Sequence, residues 1–124
     1  MRSYNGFTPQ QRMRGDYIIK QAIKEGILPA ATDCKCVVCG QDKGIRHYHT
    51  EDYTPEHIVE KCEVWCWRCH LIHHSRHINP EACEAYFESI KQGVKYPPVY
   101  KNNIRILATE HGIVKVKKAE KDEI

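Results

Sequence analysis

No run in this 124-residue chain approaches the roughly 20 consecutive apolar residues that a membrane-spanning helix needs. The first residues, Met1 to Gln11, are polar and lack the apolar core of a secretory signal. Charge of one sign is also scarce. The formal net charge is only +3, which neither demands nor excludes a polyanionic partner, because local clustering matters more than the sum. Low-complexity tracts are missing, and nothing repeats except two cysteine pairs. These absences lead us to expect one cytosolic domain with no membrane role. A chain this short buries a modest core and tends to lean on a metal or on disulfides.

Cysteine and histidine are abundant instead, at seven and eight residues. In a reducing compartment cysteines read as metal ligands before they read as disulfides, and the odd count points the same way. Cys36-Val37-Val38-Cys39-Gly40 has the form of a zinc knuckle: two intervening residues let one tight turn aim both thiolates at one ion. The glycine that follows relaxes the backbone where it doubles back. Cys66-Trp67-Arg68-Cys69 is a second such pair. Four soft thiolates from two turns make a closed tetrahedral site, so Cys36, Cys39, Cys66 and Cys69 are expected to hold a structural zinc. Cys34 and Cys62 lie near enough to replace a neighbour but stand outside the C-x-x-C pairs, and we read them as spare thiols. Cys83 falls on an apolar helical face and is read as core.

The expected elements place these residues. A helix starts at Thr8, with Pro9 in its first turn and Gln11 completing a capping box, and stops at Gly26. Its apolar stripe is Met13, Tyr17, Ile18 and Ile23, weakened by Gly15. Ile45 to His49 and Glu63 to Trp65 read as short strands around a loop containing Pro55. Cys66 to His77 reads as a helix closed by Asn79-Pro80, and a further helix runs from Pro80 to Gln92. Asn103 to Thr109 and Ile113 to Lys117 alternate around a Glu110-His111-Gly112 turn, which suggests a hairpin.

His47 and His49 alternate on one strand and so share a face. On the following helix, His70 and His74 are one turn apart, as are His73 and His77. A strand histidine beside two helical histidines can form a second, open metal site, because imidazoles and a carboxylate leave positions for water and phosphate. The same pattern also allows His70 or His73 to replace a cysteine at the structural zinc. Tyr48, Tyr53, Trp65 and Trp67 flank this region with Arg46, Arg68 and Arg76, a mixture that can grip a phosphate backbone and stack on bases. Trp65 and Trp67 equally suit a cover over the zinc core.

Taken in order, the N-terminal helix, Cys36-Val37-Val38-Cys39-Gly40, His49-Thr50-Glu51-Asp52-Tyr53, Pro55, and Trp65-Cys66-Trp67-Arg68-Cys69-His70 with His74 resemble the zinc-ribbon HNH-like proteins of phages and prophages. The resemblance covers Thr8 to His77. It implies a ββα-metal core and an HNH endonuclease activity, with DNA as substrate. His70 and His74 match the helical metal ligands and His49 the strand ligand, so these three are the expected catalytic residues. The implied cofactor there is a second divalent ion (magnesium, manganese, nickel or zinc). Family members place a histidine base directly after the strand ligand, whereas this chain has Thr50, which cannot act as a base near neutral pH. His49 itself with Asp52 on the metal, His47, or His57 folding back are the three ways to replace it.

The expectation is therefore a small α+β, zinc-stabilised domain over residues 1–95, resembling the HNH fold with flanking helices. Residues 96–124 form a C-terminal extension with the β-hairpin. Arg46, Arg68, Arg76 and Tyr48 are the expected nucleic-acid contacts, and the compartment is cytoplasmic, that of a bacterial host if the chain is phage-encoded. Two rival functions stand beside the nuclease: a non-catalytic nucleic-acid-binding zinc protein, and a protein-interaction module acting on a host enzyme.

Overall fold

The computed structural model describes residues 3–101 and 104–112. Helix α1 (Pro9–Lys24) begins as its sequence dictates. Thr8 Oγ1 accepts from the Gln11 N–H at 3.2 Å, and the Gln11 side chain accepts from the Thr8 N–H at 2.8 Å. Each thereby satisfies a donor that a helix start leaves unpaired. The buried face only partly matches the expected stripe: Ile18 and Ile23 pack against buried residues. Met13 and Tyr17 are about 60% exposed, while Gly15, Ile19 and Ala22 are buried. Gly15 is the reason, because a Cβ there would come within 2.7 Å of both Ile58 Cδ1 and Tyr53 Cδ1. A missing side chain lets the helix sit directly on those two residues.

Strands β1 (Arg46–His49) and β2 (Glu63–Cys66) pair antiparallel, with Arg46 opposite Cys66 and His49 opposite Glu63. Paired residues share a face, so one face carries His47, His49, Glu63 and Trp65, the other Arg46, Tyr48, Val64 and Cys66. The connection folds as a short helix, α2 (Ile58–Lys61), around the fully buried Ile58.

β2 runs straight into α3 (Trp67–His74), and Cys66 serves as both last strand residue and helix cap. α3 is shorter than expected. Ser75 turns back to donate to the Ile72 carbonyl at 2.6 Å, and Ser75–His77 form a 3-10 turn. Asn79 then caps α4 (Pro80–Lys91) by accepting from the Ala82 N–H at 3.0 Å.

The expected C-terminal hairpin is corrected. Its first strand is a helix, α5 (Ile104–Glu110), and its second, from Ile113 to Lys117, lies outside the described residues. Leu107 is buried and Ala108 packs on the core. α5 is locked to α3 through Glu110, which pairs with the Arg68 guanidinium at 2.5 Å.

Two apolar clusters result. One gathers Cys36, Cys66, Cys69, Ile72, Cys83 and Tyr86; the other gathers Ile19, Tyr53, Ile58 and Cys62. Cys83 is thus core, as its helical position implied. The fold is a mixed α+β arrangement with a two-stranded sheet, and no helix among the described residues is long and apolar enough to cross a membrane.

Candidate metal centres

The four paired cysteines converge. Their sulfurs lie within 4.8 Å of one another, with Cys36, Cys66 and Cys69 buried. The first pair is shaped by its turn: Gly40 takes φ +80°, its N–H donates to the Cys36 carbonyl at 2.8 Å, and the Cys36 N–H donates to Gln41. The Val37 N–H reaches the Val64 carbonyl at 2.9 Å, tying this turn to β2. The second pair sits at the start of α3, where the Cys69 N–H donates to Cys66 Sγ at 3.4 Å. A helix N-terminus favours thiolate over thiol.

The spacing suits zinc. Sulfurs bound at about 2.3 Å around a tetrahedral ion stand about 3.8 Å apart, and Cys39 Sγ and Cys66 Sγ are 3.7 Å apart. The thiols also compete for charge. Hydrogen bonds from Cys39, Cys66 and Cys69 pull the Cys36 thiol well below its ordinary range, while donation to Cys36 and Cys39 pushes Cys66 and Cys69 up. Only a cation lets all four ionise together. The cluster can therefore hold a zinc ion. Cys34 and Cys62 stand apart, each giving its S–H to a carbonyl 3.5 Å away, Ala30 and Val59 respectively. No histidine joins the four cysteines among the described residues.

A second constellation gathers histidines of β1 and α3. His49 from β1 meets His70 and His74 from α3, and one ring nitrogen from each falls within 4.8 Å of the others. The sequence had singled out these three. His47 joins them differently, as its Nε2 lies 2.8 Å from His70 Nδ1 and fixes the orientation of that ring. Trp67 stacks on His70 at 5.8 Å, and Trp65 lies against His49 at 4.3 Å. Both tryptophans thus frame the imidazoles, while Trp65 also packs on the cysteine-bearing core.

Burial drives these histidines toward the neutral form. It lowers His70 to about 2 and His74 to about 4, with neighbouring imidazoles adding to the effect. His47, His49 and His73 are lowered too, chiefly by burial. Neutral imidazoles keep a lone pair free, which is the form a metal takes.

Two members of the cluster were not placed here from the sequence, which offered His73 only as a replacement ligand at the structural zinc. Glu51 and His73 come together with His49 as a further group of three. Glu51 Oε2 lies 2.6 Å from His49 Nε2 and 3.5 Å from His73 Nε2. Burial pushes the Glu51 carboxyl up, but hydrogen bonds from Tyr4 and Asn5 and the nearby His49 and His73 outweigh it and hold it at about 2. Tyr4 stays a phenol, raised to about 12 by burial and by its bond to Glu51. The signal for Glu51 was its place two residues after His49, on the same side of an extended chain.

Several expected contacts fall elsewhere. Thr50 is buried and bound into a turn, its hydroxyl donating to the Asp52 carbonyl at 2.8 Å. Asp52 accepts from Thr54 and pairs with Lys61, and His57 is exposed at the start of α2, so neither enters the cluster. Arg68 corrects the expectation of a phosphate contact. It is 4% exposed, bonded to Glu110 and the Pro97 carbonyl, with its guanidinium over the Tyr96 ring. Arg46 donates to the Thr32 and Gly44 carbonyls, and Tyr48 donates to the Pro29 carbonyl at 2.6 Å. Arg76 alone of these four reaches the histidines, donating to the His73 carbonyl and to Tyr4 Oη.

Comparison with protein-family models, curated proteins and solved structures returned no match.

Proposed function

We propose that the chain is a zinc-stabilised, metal-dependent endonuclease of the HNH-like kind, hydrolysing DNA phosphodiester bonds. The observation that carries this reading is the convergence of His49, His70 and His74 on a strand–strand–helix unit anchored by four cysteines. The two centres differ in kind. Four thiolates close the coordination of an ion, whereas three imidazoles leave positions open to water and substrate.

A divalent ion held by the three histidines would polarise a phosphodiester oxygen and stabilise charge on the leaving group. The protein's own residues prepare that site. His47 orients His70 through the 2.8 Å contact, the supporting role commonly found behind a metal-bound imidazole. Trp65 and Trp67 pack against His73 and His70, and Arg76 brings a fixed positive charge beside His73. Thr50, at the position the family resemblance gives to the base, is committed to its turn and takes no part in proton transfer.

The test is nicking of supercoiled plasmid by purified protein under magnesium, manganese, nickel or zinc, with His70→Ala and His74→Ala alongside. Nicking that requires added metal and vanishes in both variants, while the cysteine-held zinc stays, supports the proposal. Salt-sensitive DNA retention without cleavage under any metal would replace it with a binding role.

A further inference from the structure

We infer that His49, Glu51 and His73 form a second divalent-cation position, which shares His49 with the histidine site and takes a harder ion such as manganese. Four features on different elements carry it. The ligand atoms of the three residues lie within 4.8 Å of one another. His49 is 5% exposed, and its Nε2 has no hydrogen-bond partner of acceptable geometry among the described residues, although Glu51 Oε2 is only 2.6 Å away. An imidazole nitrogen and a carboxylate oxygen this close are two donors that one ion can share. Ligands at about 2.0–2.1 Å from a tetrahedral ion stand about 3.3–3.4 Å apart, so an ion there asks the two groups to separate by less than about 1 Å.

The carboxylate is also held from behind. Tyr4 Oη donates to Glu51 Oε2 at 2.5 Å, and Asn5 Nδ2 donates to Glu51 Oε1 at 3.1 Å and to the Glu51 carbonyl at 3.2 Å. Arg76 in turn donates to Tyr4 Oη at 3.1 Å. The N-terminal segment thus orients a carboxylate it does not otherwise need, as the residues behind metal-binding carboxylates do. Finally, the position has access. A cleft of about 260 Å³ includes His49, Glu51 and His73 in its lining, with Asp52, Lys61 and Glu63 beside them.

Two imidazoles and one carboxylate make a different donor set from three imidazoles. The mixed set suits manganese, cobalt or iron(II), whereas nitrogen-only ligation favours zinc and nickel. His49 belongs to both groups, which couples the two positions. The inference holds whether or not the chain cleaves DNA.

The experiment is a manganese titration of protein carrying one zinc per chain, read by the loss of the free-ion EPR signal. Glu51→Gln, His73→Ala, His49→Ala and His70→Ala are compared with the unaltered chain, and zinc content checks the fold of each. The expected result is manganese affinity at least about tenfold weaker in the first three variants and within about threefold of normal in His70→Ala, with Tyr4→Phe weakened less than Glu51→Gln. No manganese binding by the unaltered chain overturns the inference. So does unchanged affinity in Glu51→Gln and His73→Ala, or an equal loss in all four variants, which would make the histidines and Glu51 one site.

Discussion

Replacing Cys69 with serine changes one atom at the most enclosed point of the cysteine cluster. Cys69 is fully buried, its N–H lies on Cys66 Sγ, and its sulfur is 3.1 Å from Tyr86 Oη. Serine fits the space, so packing is nearly unchanged and the effect isolates the ligand. A structural zinc contributes about 10–16 kcal/mol in small zinc-binding peptides near neutral pH. If one of four ligands carries only a quarter of that, its loss removes about 3–4 kcal/mol, from a domain whose whole margin is about 5–15 kcal/mol. At about 4 °C per kcal/mol for a chain of this size, the melting temperature falls by about 12–16 °C. Zinc content by mass spectrometry and a circular-dichroism melt read both quantities, with His70→Ala as the control that retains the cysteine-held zinc. A Cys69→Ser protein with full zinc and an unaltered melt would refute the assignment of the structural centre.

Three further outcomes are expected. Gly15→Ala gains about 1 kcal/mol of helix propensity but meets Ile58 and Tyr53 at 2.7 Å; overpacking costs about 1–3 kcal/mol, so chemical denaturation should show no gain and a loss of up to about 2 kcal/mol. Arg68→Ala removes the bonds to Glu110 and Pro97 and the contact on Tyr96, and should cost about 1–3 kcal/mol, with faster amide exchange in α5. Arg68→Lys should not restore it, because an ammonium cannot reproduce the planar fork. His111 is held below its ordinary range, first by burial and then by Arg68. Its neutral form is the one that packs, so its contribution is present above the unfolded value near 6.5 and fades as pH falls through that value toward the folded one. His111→Gln should flatten the part of the stability profile below about pH 6.5 that this residue causes, and an unchanged profile would exclude it as a source.

Much of the local structure was legible because its causes are local. Thr8 with Gln11 defines a helix start by satisfying nearby backbone groups, and the helix expected from Pro80 begins there, with Asn79 as its cap. The C-x-x-C pairs work the same way, since each turn aims its own two sulfurs. The C-terminal segment was not legible. Its apolar residues fit a period of two at Ile104 and Ile106 and a helical period at Ile104, Leu107 and Ala108. Long-range contacts, Leu107 in the core and Glu110 on Arg68, go with the helix.

By itself, the sequence determined the four-cysteine centre and nominated His49, His70 and His74, because ligand type and spacing along a turn, a strand or a helix carry that information. Only the tertiary structure decided which neighbours meet across elements. It put Gly15 against Ile58, buried Arg68 beneath α5, and brought Glu51, braced by Tyr4 and Asn5, to His49 and His73. Those are distances between residues far apart in the chain, and neither periodicity nor spacing encodes them. They follow from how two small cores close around the sheet and α3.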